Sequence, residues 1–293
     1  MERRVSGTDR DGIFRFLVGM THDSSATLAQ QSHSDLFAAM DGARIRYRLD
    51  GPIGAPFLVL SNSLGTNLDM WEPQVAALAT RFRVLRYDSR GHGLSTVTPG
   101  PYTIERLARD VLALLDEIKI DRTDFCGLSM GGMAGMWLGV HAPQRMDRLL
   151  LCNTAPRIGS AERWNARIDA VNKSGVGGIA DAMMEIWFTP RFRDIAAPTV
   201  QRMRAMLSAS PADGYVASCA AVRDMDQWAT LSRIERPTLI VTGAHDAATP
   251  PADGRRMAEM IPGAKQVELD AAHISNVEAA GRFTAEMLAF LDR

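Results

Sequence analysis

Short apolar runs recur along the chain from residue 36 onward, separated by segments whose apolar positions follow a helical period. The runs are typical of strands buried on both faces of a parallel sheet, and they lie at 57–60, 84–87, 123–126, 149–152, 238–242 and 266–269. Apolar residues at i, i+3, i+4 and i+7 predict helices between them, at 71–79, 103–118, 130–141, 253–260 and 277–291. Strands that alternate with helices predict a mostly parallel sheet with helices on both faces.

An Asp-Gly pair precedes this alternation. Asp41 and Gly42 separate two extended segments, 36–40 and 44–49. Because glycine readily adopts positive φ, an Asp-Gly pair between extended segments predicts a tight β-hairpin.

The alternation of strands and helices breaks once, between Pro156 and Pro237. Helical periodicity continues there without a strand pattern, at 164–171, 179–187, 199–207 and 215–223. We therefore expect an inserted helical cap over residues 157–233, which we call the cap. It divides an α/β core into two parts, 35–156 and 234–293. Residues 1–34, which end in Ser, Gln, His and Ala without periodicity, are expected to form a flexible leader.

A serine flanked by glycines lies between the predicted strand 123–126 and the predicted helix 130–141. Residues 127–131 read Gly-Leu-Ser-Met-Gly, which matches the pattern G-x-S-x-G. A nucleophile elbow needs this strand–turn–helix position, because the tight turn lifts the serine hydroxyl out of the sheet. The glycines remove β-carbons that would collide with neighbouring elements. We therefore predict that Ser129 is a catalytic nucleophile.

A serine hydroxyl is a weak nucleophile unless a base takes its proton, so a histidine oriented by a carboxylate is expected. Of the six histidines, only His273 lies between the last predicted strand and the C-terminal helix. Asp246 follows the penultimate predicted strand, from which a carboxylate can reach the imidazole Nδ1–H. The chain order Ser129, Asp246, His273 is that of α/β-hydrolases, which is the fold class that we predict.

Two backbone N–H groups are expected to bind the oxyanion that forms during acyl transfer. Met130, which follows the nucleophile, is predicted to supply one of them. Leu64, in the loop after the strand at 57–60, is predicted to supply the second, with Ser63 as the alternative. Many hydrolases have His-Gly in this loop, where this chain has Asn62 and Ser63.

Several motifs taken together resemble those of 3-oxoadipate enol-lactonases. They are Ser-Asn-Ser-Leu-Gly-Thr at 61–66 with Met70-Trp71, Tyr-Asp-Ser-Arg-Gly-His-Gly-Leu-Ser at 87–95, Gly-Leu-Ser-Met-Gly-Gly-Met at 127–133, Ala-His-Ile-Ser-Asn at 272–276, and Trp164, Asn165 and Arg167 in the cap. The resemblance spans about residues 36–293. It implies a hydrolase that needs no cofactor and opens a small enol-lactone to a keto diacid late in aromatic catabolism.

The residues leave other functions open. A generic carboxylesterase, a cofactor-free perhydrolase and a carbon–carbon bond hydrolase share the same fold, and a non-catalytic ligand receptor could retain it. A haloalkane dehalogenase is disfavoured, because its nucleophile is an aspartate and this chain has Ser129 at that position.

An enol-lactone of that pathway carries a free carboxylate, and an unpaired anion is costly to bury. We therefore expect the cap to supply a cation. Arg167 follows Trp164 by three positions, which places both side chains on one face of a helix, beside a flat anionic lactone. Trp137, on the helix after the nucleophile, is predicted to form the opposing wall.

Composition and charge exclude several classes of binding partner. Hydrophobic residues make up 46% of the 293 positions and charged residues 23%, enough for a sizeable core. The formal net charge of -1 lacks the basic excess that nucleic-acid binding requires. Three cysteines without metal-ligand spacing favour a reducing cytoplasm, and no metal is expected. No apolar run reaches the length of a transmembrane helix, and the pattern says nothing about oligomeric state.

Overall fold

An eight-stranded sheet forms the centre of the protein, as seen in a computed structural model that describes residues 34–292. The predicted leader, apart from Ser34, lies outside the described residues. The strands are β1 (Leu36–Met40), β2 (Ala43–Asp50), β3 (Phe57–Ser61), β4 (Arg83–Tyr87), β5 (Thr123–Leu128), β6 (Met146–Cys152), β7 (Thr238–Gly243) and β8 (Lys265–Leu269). Their order across the sheet is β1-β2-β4-β3-β5-β6-β7-β8.

Only the first two strands run antiparallel to their neighbours. From β4 to β8 every adjacent pair is parallel, and β5 and β7 are buried along their whole length. The six apolar runs of the sequence correspond to β3–β8. The full burial of β5 and β7 reflects a sheet covered on both faces, whereas the edge strand β8 exposes Lys265 and Glu268.

The predicted hairpin is confirmed in the pairing of β1 with β2. Asp41 and Gly42 both have positive φ, 27° and 73°, and the strands pair in antiparallel register from Met40↔Ala43 outward. Two consecutive residues with positive φ are what a two-residue hairpin turn requires.

Eleven helices occur in the described residues. They are α1 (Glu72–Leu78), α2 (Ile104–Glu117), α3 (Met130–His141), α4 (Ala161–Ser174), α5 (Ala180–Trp187), α6 (Pro190–Ile195), α7 (Ala197–Ser208), α8 (Ala212–Arg223), α9 (Pro251–Met260), α10 (Ser275–Glu278) and α11 (Ala280–Leu291). Within residues 34–292, no helix is both long and apolar enough to cross a lipid bilayer.

Helix α3 lies against the centre of the sheet and exposes almost none of its surface. All of its residues are buried except Trp137 and His141. Its glycines permit this close packing: a β-carbon on Gly131 would collide with the backbone of Ser61 on β3. The helix therefore starts at a fixed position directly after β5.

Five helices, α4–α8, lie between β6 and β7, within the residues that we call the cap. Four of them match the helical segments predicted from periodicity. The fifth, α6, was not predicted. It is only six residues long and has no buried residue, so it leaves no apolar periodicity in the sequence.

The C-terminal helix predicted over 277–291 is wrong as a single element. Ala279 has φ −113° and ψ 40°, which are not helical, so α10 ends before it and α11 begins after it. Glu278, the last residue of α10, turns its carboxylate toward Thr189 and Ala272.

Candidate active site

Ser129 lies in the sharp turn between β5 and α3. Its φ of 56° and ψ of −114° are strained for a residue with a β-carbon. The turn is held on both sides, because the Ser129 N–H donates to the Cys152 carbonyl at 2.9 Å and the Thr154 hydroxyl donates to the Ser129 carbonyl at 2.8 Å. Strain that the neighbouring elements maintain in this way is typical of a functional position.

The side chains of Ser129, His273 and Asp246 form one hydrogen-bonded chain. The Oγ of Ser129 is 2.9 Å from Nε2 of His273, and Nδ1 of His273 is 2.9 Å from Oδ2 of Asp246. The three residues follow the carboxyl ends of β5, β8 and β7, which meet at one edge of the sheet. Their exposed fractions are 7%, 4% and 3%. The structure thus brings together the three residues that we predicted as a triad.

Asp246 is held as a charged acceptor. Its Oδ1 accepts from the N–H groups of Ala248 and Thr249 at 2.8 and 2.9 Å. Its Oδ2 accepts from the Thr249 hydroxyl at 2.6 Å, the Asn153 amide at 3.0 Å and His273. Burial would raise the pKa of Asp246, but the His273 charge and these hydrogen bonds outweigh it and lower the pKa to about 2. An ionised carboxylate can only accept, so the ring proton of His273 stays on Nδ1 and leaves Nε2 for the serine proton.

Asn153 is a residue of this site that the sequence analysis missed. It follows β6 with φ 42°, donates to Asp246, and donates also to the Ala272 carbonyl at 3.1 Å. Its own side-chain oxygen accepts from the Ser275 hydroxyl at 2.5 Å. An asparagine directly after a buried apolar strand is the only signal that could have indicated this role.

The N–H groups of Leu64 and Met130, the two predicted oxyanion donors, have no hydrogen-bond acceptor within residues 34–292. The alternative donor, the Ser63 N–H, is already directed at the Met70 sulfur at 3.4 Å. The geometry therefore favours Leu64 over Ser63.

The loop that carries Leu64 is fixed relative to the nucleophile. The N–H of Gly131, the second residue of α3, donates to the Asn62 carbonyl at 3.0 Å. The Asn62 amide in turn donates to the Tyr87 carbonyl at 2.7 Å and accepts from the Trp71 indole at 2.9 Å. Asn62 thus occupies a buried structural position where many hydrolases have histidine.

A cavity opens above Ser129 and is lined by both the core and the cap. The cap contributes a mostly apolar wall, formed by Ile158, Trp164, Met183, Ile186, Trp187, Tyr215 and Val222. Two cations also line it: Arg167, which is half-buried, and Arg163, which is exposed. A small ligand with an apolar body and an anionic group would fit such a lining.

Trp164 and Arg167 meet as their spacing on α4 predicts. The Arg167 guanidinium carbon lies 4.7 Å from the centre of the Trp164 ring, a cation–π distance. The Trp164 indole donates to the Ile158 carbonyl at 2.7 Å. Burial raises the pKa of the Tyr215 hydroxyl, and the Arg167 charge and a hydrogen bond with Arg167 oppose the increase. Arg167 therefore interacts with two aromatic residues that line the cavity.

The prediction for Trp137 is wrong. This side chain does not line the cavity. It stacks on His141 at 4.5 Å, and the Arg109 guanidinium lies 5.5 Å from its ring centre. Trp137 and His141 share the one face of α3 that points away from the sheet, two turns from the end of the helix that faces the cavity.

Other reactive residue types have structural roles. Arg90 makes a bidentate ion pair with Asp110, with distances of 2.6 and 2.7 Å, and so ties the loop after β4 to α2. Cys126 and Cys152 are buried with their sulfurs 3.8 Å apart, and burial raises the pKa of the Cys126 thiol. Among the described residues, no group of three or more His, Cys, Asp or Glu side chains is placed to hold a metal ion.

Comparison with known proteins shows the family of the chain and several of its relatives. Residues 56–280 match the family model of the alpha/beta hydrolase fold. The chain is 40% identical over 259 residues to 3-oxoadipate enol-lactonase 2 of Acinetobacter baylyi. The aligned region covers 88% of this chain and 97% of that protein.

Two solved structures are also similar. The enol-lactonase from Burkholderia xenovorans LB400 is 46% identical with a TM-score of 0.87, covering 88% of this chain and all of that one. A hydrolase from Pseudomonas aeruginosa PA01 is 48% identical with a TM-score of 0.87, covering 89% of this chain and all of that one.

Proposed function

Because the chain belongs to the α/β-hydrolase family, we propose that it is a serine hydrolase that opens 3-oxoadipate enol-lactone to 3-oxoadipate. The observation that carries the proposal is the cavity above Ser129, in which an arginine lies against an aromatic wall. The 40% identity to an enol-lactonase over nearly the whole of that protein supports the same substrate.

The reaction begins with Ser129. Nε2 of His273, 2.9 Å from Oγ, takes the serine proton as Oγ attacks the lactone carbonyl. The ionised carboxylate of Asp246 stabilises the imidazolium that results. The N–H groups of Leu64 and Met130 donate to the oxyanion, which they can do without first breaking other hydrogen bonds.

Collapse of the tetrahedral intermediate breaks the bond between the acyl carbon and the ring oxygen. His273 returns its proton to that oxygen, and the enol formed becomes a ketone. Water then attacks the acyl-enzyme while His273 takes its proton, and the second collapse releases the new carboxylic acid and restores Ser129. The product is a keto diacid, and no cofactor takes part in any step.

Arg167 binds the carboxylate that the lactone already carries. A guanidinium suits this task, because it is always charged and donates in a fork that matches a carboxylate. The Trp164 ring packs against the guanidinium, and Tyr215 lines the same cavity. Arg163, exposed at the cavity, adds positive charge that favours an anionic substrate.

We also infer that the enzyme acts late in aromatic catabolism and in the cytoplasm. Three free cysteines are consistent with a reducing compartment.

Kinetics on two substrates tests this function. Wild-type protein should hydrolyse the anionic enol-lactone, and Arg167→Ala should raise KM for it by about 30-fold, the typical effect of losing a charged hydrogen bond. The same variant should raise KM for a neutral ester of similar size by less than about threefold, because no anion is bound. Arg202→Ala is the matched control, since Arg202 is an exposed cap arginine that does not line the cavity.

Two results would contradict the proposal. If the wild-type protein hydrolyses the ester but not the lactone, its function is that of a generic carboxylesterase. Equal KM increases on both substrates in Arg167→Ala would show that Arg167 supports the cavity wall and does not bind the carboxylate.

A further inference from the structure

The backbone on both sides of His273 is held by hydrogen bonds from three directions. The Ala272 N–H donates to Oε2 of Glu278 at 2.8 Å, and the Ala272 carbonyl accepts from Asn153 at 3.1 Å. The Ile274 N–H donates to the Trp187 carbonyl at 3.1 Å. The position of the imidazole therefore depends on Glu278, Asn153 and Trp187 as well as on Asp246.

Two of these three hydrogen bonds lead to the junction between α5 and α6 in the cap. Trp187 is the last residue of α5. Thr189 caps the start of α6, and its N–H and hydroxyl both donate to Oε1 of Glu278, the N–H at 3.1 Å. The Thr189 N–H also donates to Oε2 at 3.4 Å, so one carboxylate holds both Ala272 and Thr189.

We propose that Glu278 is a positioning residue, whose carboxylate fixes His273 relative to the α5–α6 junction of the cap. The proposal rests on the proposed function only in taking His273 as the general base. Trp187 makes the link relevant to substrate, because its side chain lines the cavity while its carbonyl holds Ile274. A ligand that contacts the Trp187 ring therefore contacts the residue whose carbonyl holds the backbone next to His273.

The contacts of Glu278 require a carboxylate. Both of its oxygens accept from N–H groups of the chain, whereas a glutamine would have to place its own NH₂ against one of those donors. No arginine or lysine within residues 34–292 pairs with Glu278. The charge is therefore not part of an ordinary surface ion pair but is directed at backbone donors.

Glu278→Gln is the direct test, with Glu286→Gln as the matched control. Glu286 is also partly buried, lies on the next helix and, among residues 34–292, pairs only with Arg282. We expect Glu278→Gln to lower kcat for a chromogenic short-chain ester by about 30-fold, because small displacements of a catalytic group cost up to about 100-fold in rate. Its KM should change by less than about threefold. Glu286→Gln should retain wild-type kcat within about twofold.

A second readout is the rate at which a fluorophosphonate modifies Ser129. This reaction needs the serine–histidine pair but not the lactone, so it should slow in parallel with kcat in Glu278→Gln. Thr189→Val, which removes the hydroxyl that donates to Glu278 and accepts from the Phe192 N–H at the start of α6, should slow both reactions about fivefold, and Thr189→Ser should restore them. The thermal midpoint of each variant corrects the rates for any unfolded protein.

The proposal is overturned if Glu278→Gln, after that correction, has the kcat and the modification rate of Glu286→Gln. It is also overturned if kcat is retained and only KM rises. Should Glu278→Gln fail to fold, unchanged rates in Thr189→Val would overturn it. Failure of the wild-type protein to hydrolyse the enol-lactone would refute the proposed function alone, because ester hydrolysis and serine modification still measure the effect of Glu278.

Discussion

The reactivity of Ser129 depends on two neighbours that act as one unit with it. Ser129→Ala, His273→Ala and Asp246→Asn should each lower kcat by about three orders of magnitude or more. The double variant Ser129→Ala/His273→Ala should be little worse than Ser129→Ala alone, because removal of one member already disables the proton transfer. Steady-state kinetics with a chromogenic ester, beside thermal unfolding of each variant, measures this.

Ser174→Ala is a control for the serine substitution. Ser174 is exposed at the end of α4, and its hydroxyl donates to the Ala170 carbonyl. It should retain full activity. More than about a tenth of wild-type activity in Ser129→Ala would refute the nucleophile assignment.

Residue type and chain order were enough to predict these three residues, because few other arrangements supply a nucleophile, a base and an acid in that order. Asn153 could not be predicted in this way, since it meets Asp246 across 93 residues only because β6 and β7 are adjacent. Trp137 was misassigned because spacing along α3 does not reveal which face of a nearly buried helix points outward.

At the scale of elements, the oxyanion loop is packed against the cap at Gly65. Its φ is 78°, and a β-carbon there would collide with Leu207 and come within 2.9 Å of the Tyr215 ring. The Ser210 hydroxyl donates to the Gly65 carbonyl at 3.1 Å. The cap thus contacts the loop that carries the Leu64 N–H.

Gly65→Ala should therefore move that loop and lower kcat by about tenfold or more, since loss of an oxyanion donor costs about 100-fold or more. Gly54→Ala is the matched control, because Gly54 also has positive φ, 87°, but nothing lies near its missing β-carbon. It should lower the free energy of unfolding by about 1 kcal/mol without changing kcat. Equal kcat values in Gly65→Ala and Gly54→Ala would show that the cap contact does not position the loop.

Elements with strong periodicity were predicted to within a few residues. Strands β3–β8, the hairpin and α3 follow from local pattern and turn chemistry, which tertiary contacts reinforce here. The short helix α6 and the break at Ala279 depend instead on contacts made by Thr189 and Glu278, residues far apart in sequence. No local pattern encodes such a contact.

At the scale of the whole molecule, His92 makes stability depend on pH. The side chain is fully buried, its Nε2 has no partner in the described part of the chain, and its Nδ1 is 3.2 Å from the Arg90 carbonyl. Burial lowers the pKa of His92 from 6.5 to about 4, and the Arg90 contact opposes this only in part. Because the unfolded chain binds the proton more tightly, stability is lost as pH falls from 6.5 toward 4.

Between pH 7.5 and pH 5, His92 should remove about 2 kcal/mol from the free energy of unfolding. His92→Asn retains a donor for the Arg90 carbonyl but cannot take up a proton. Its loss of stability over the same pH range should be smaller by that amount, measured by denaturant unfolding at both pH values. Equal pH slopes for wild type and variant would show that His92 does not titrate in this range.

All three cysteines of the chain, Cys126, Cys152 and Cys219, have exposed fractions of 0%. Burial also raises the pKa of the Cys219 thiol to about 12. Thiol-directed reagents need an accessible thiolate, which the folded protein does not offer at neutral pH. Two cysteines introduced on the surface, one on the cap and one on the core, can therefore carry fluorescent or spin labels without prior removal of the native cysteines, and the distance between the labels becomes directly measurable.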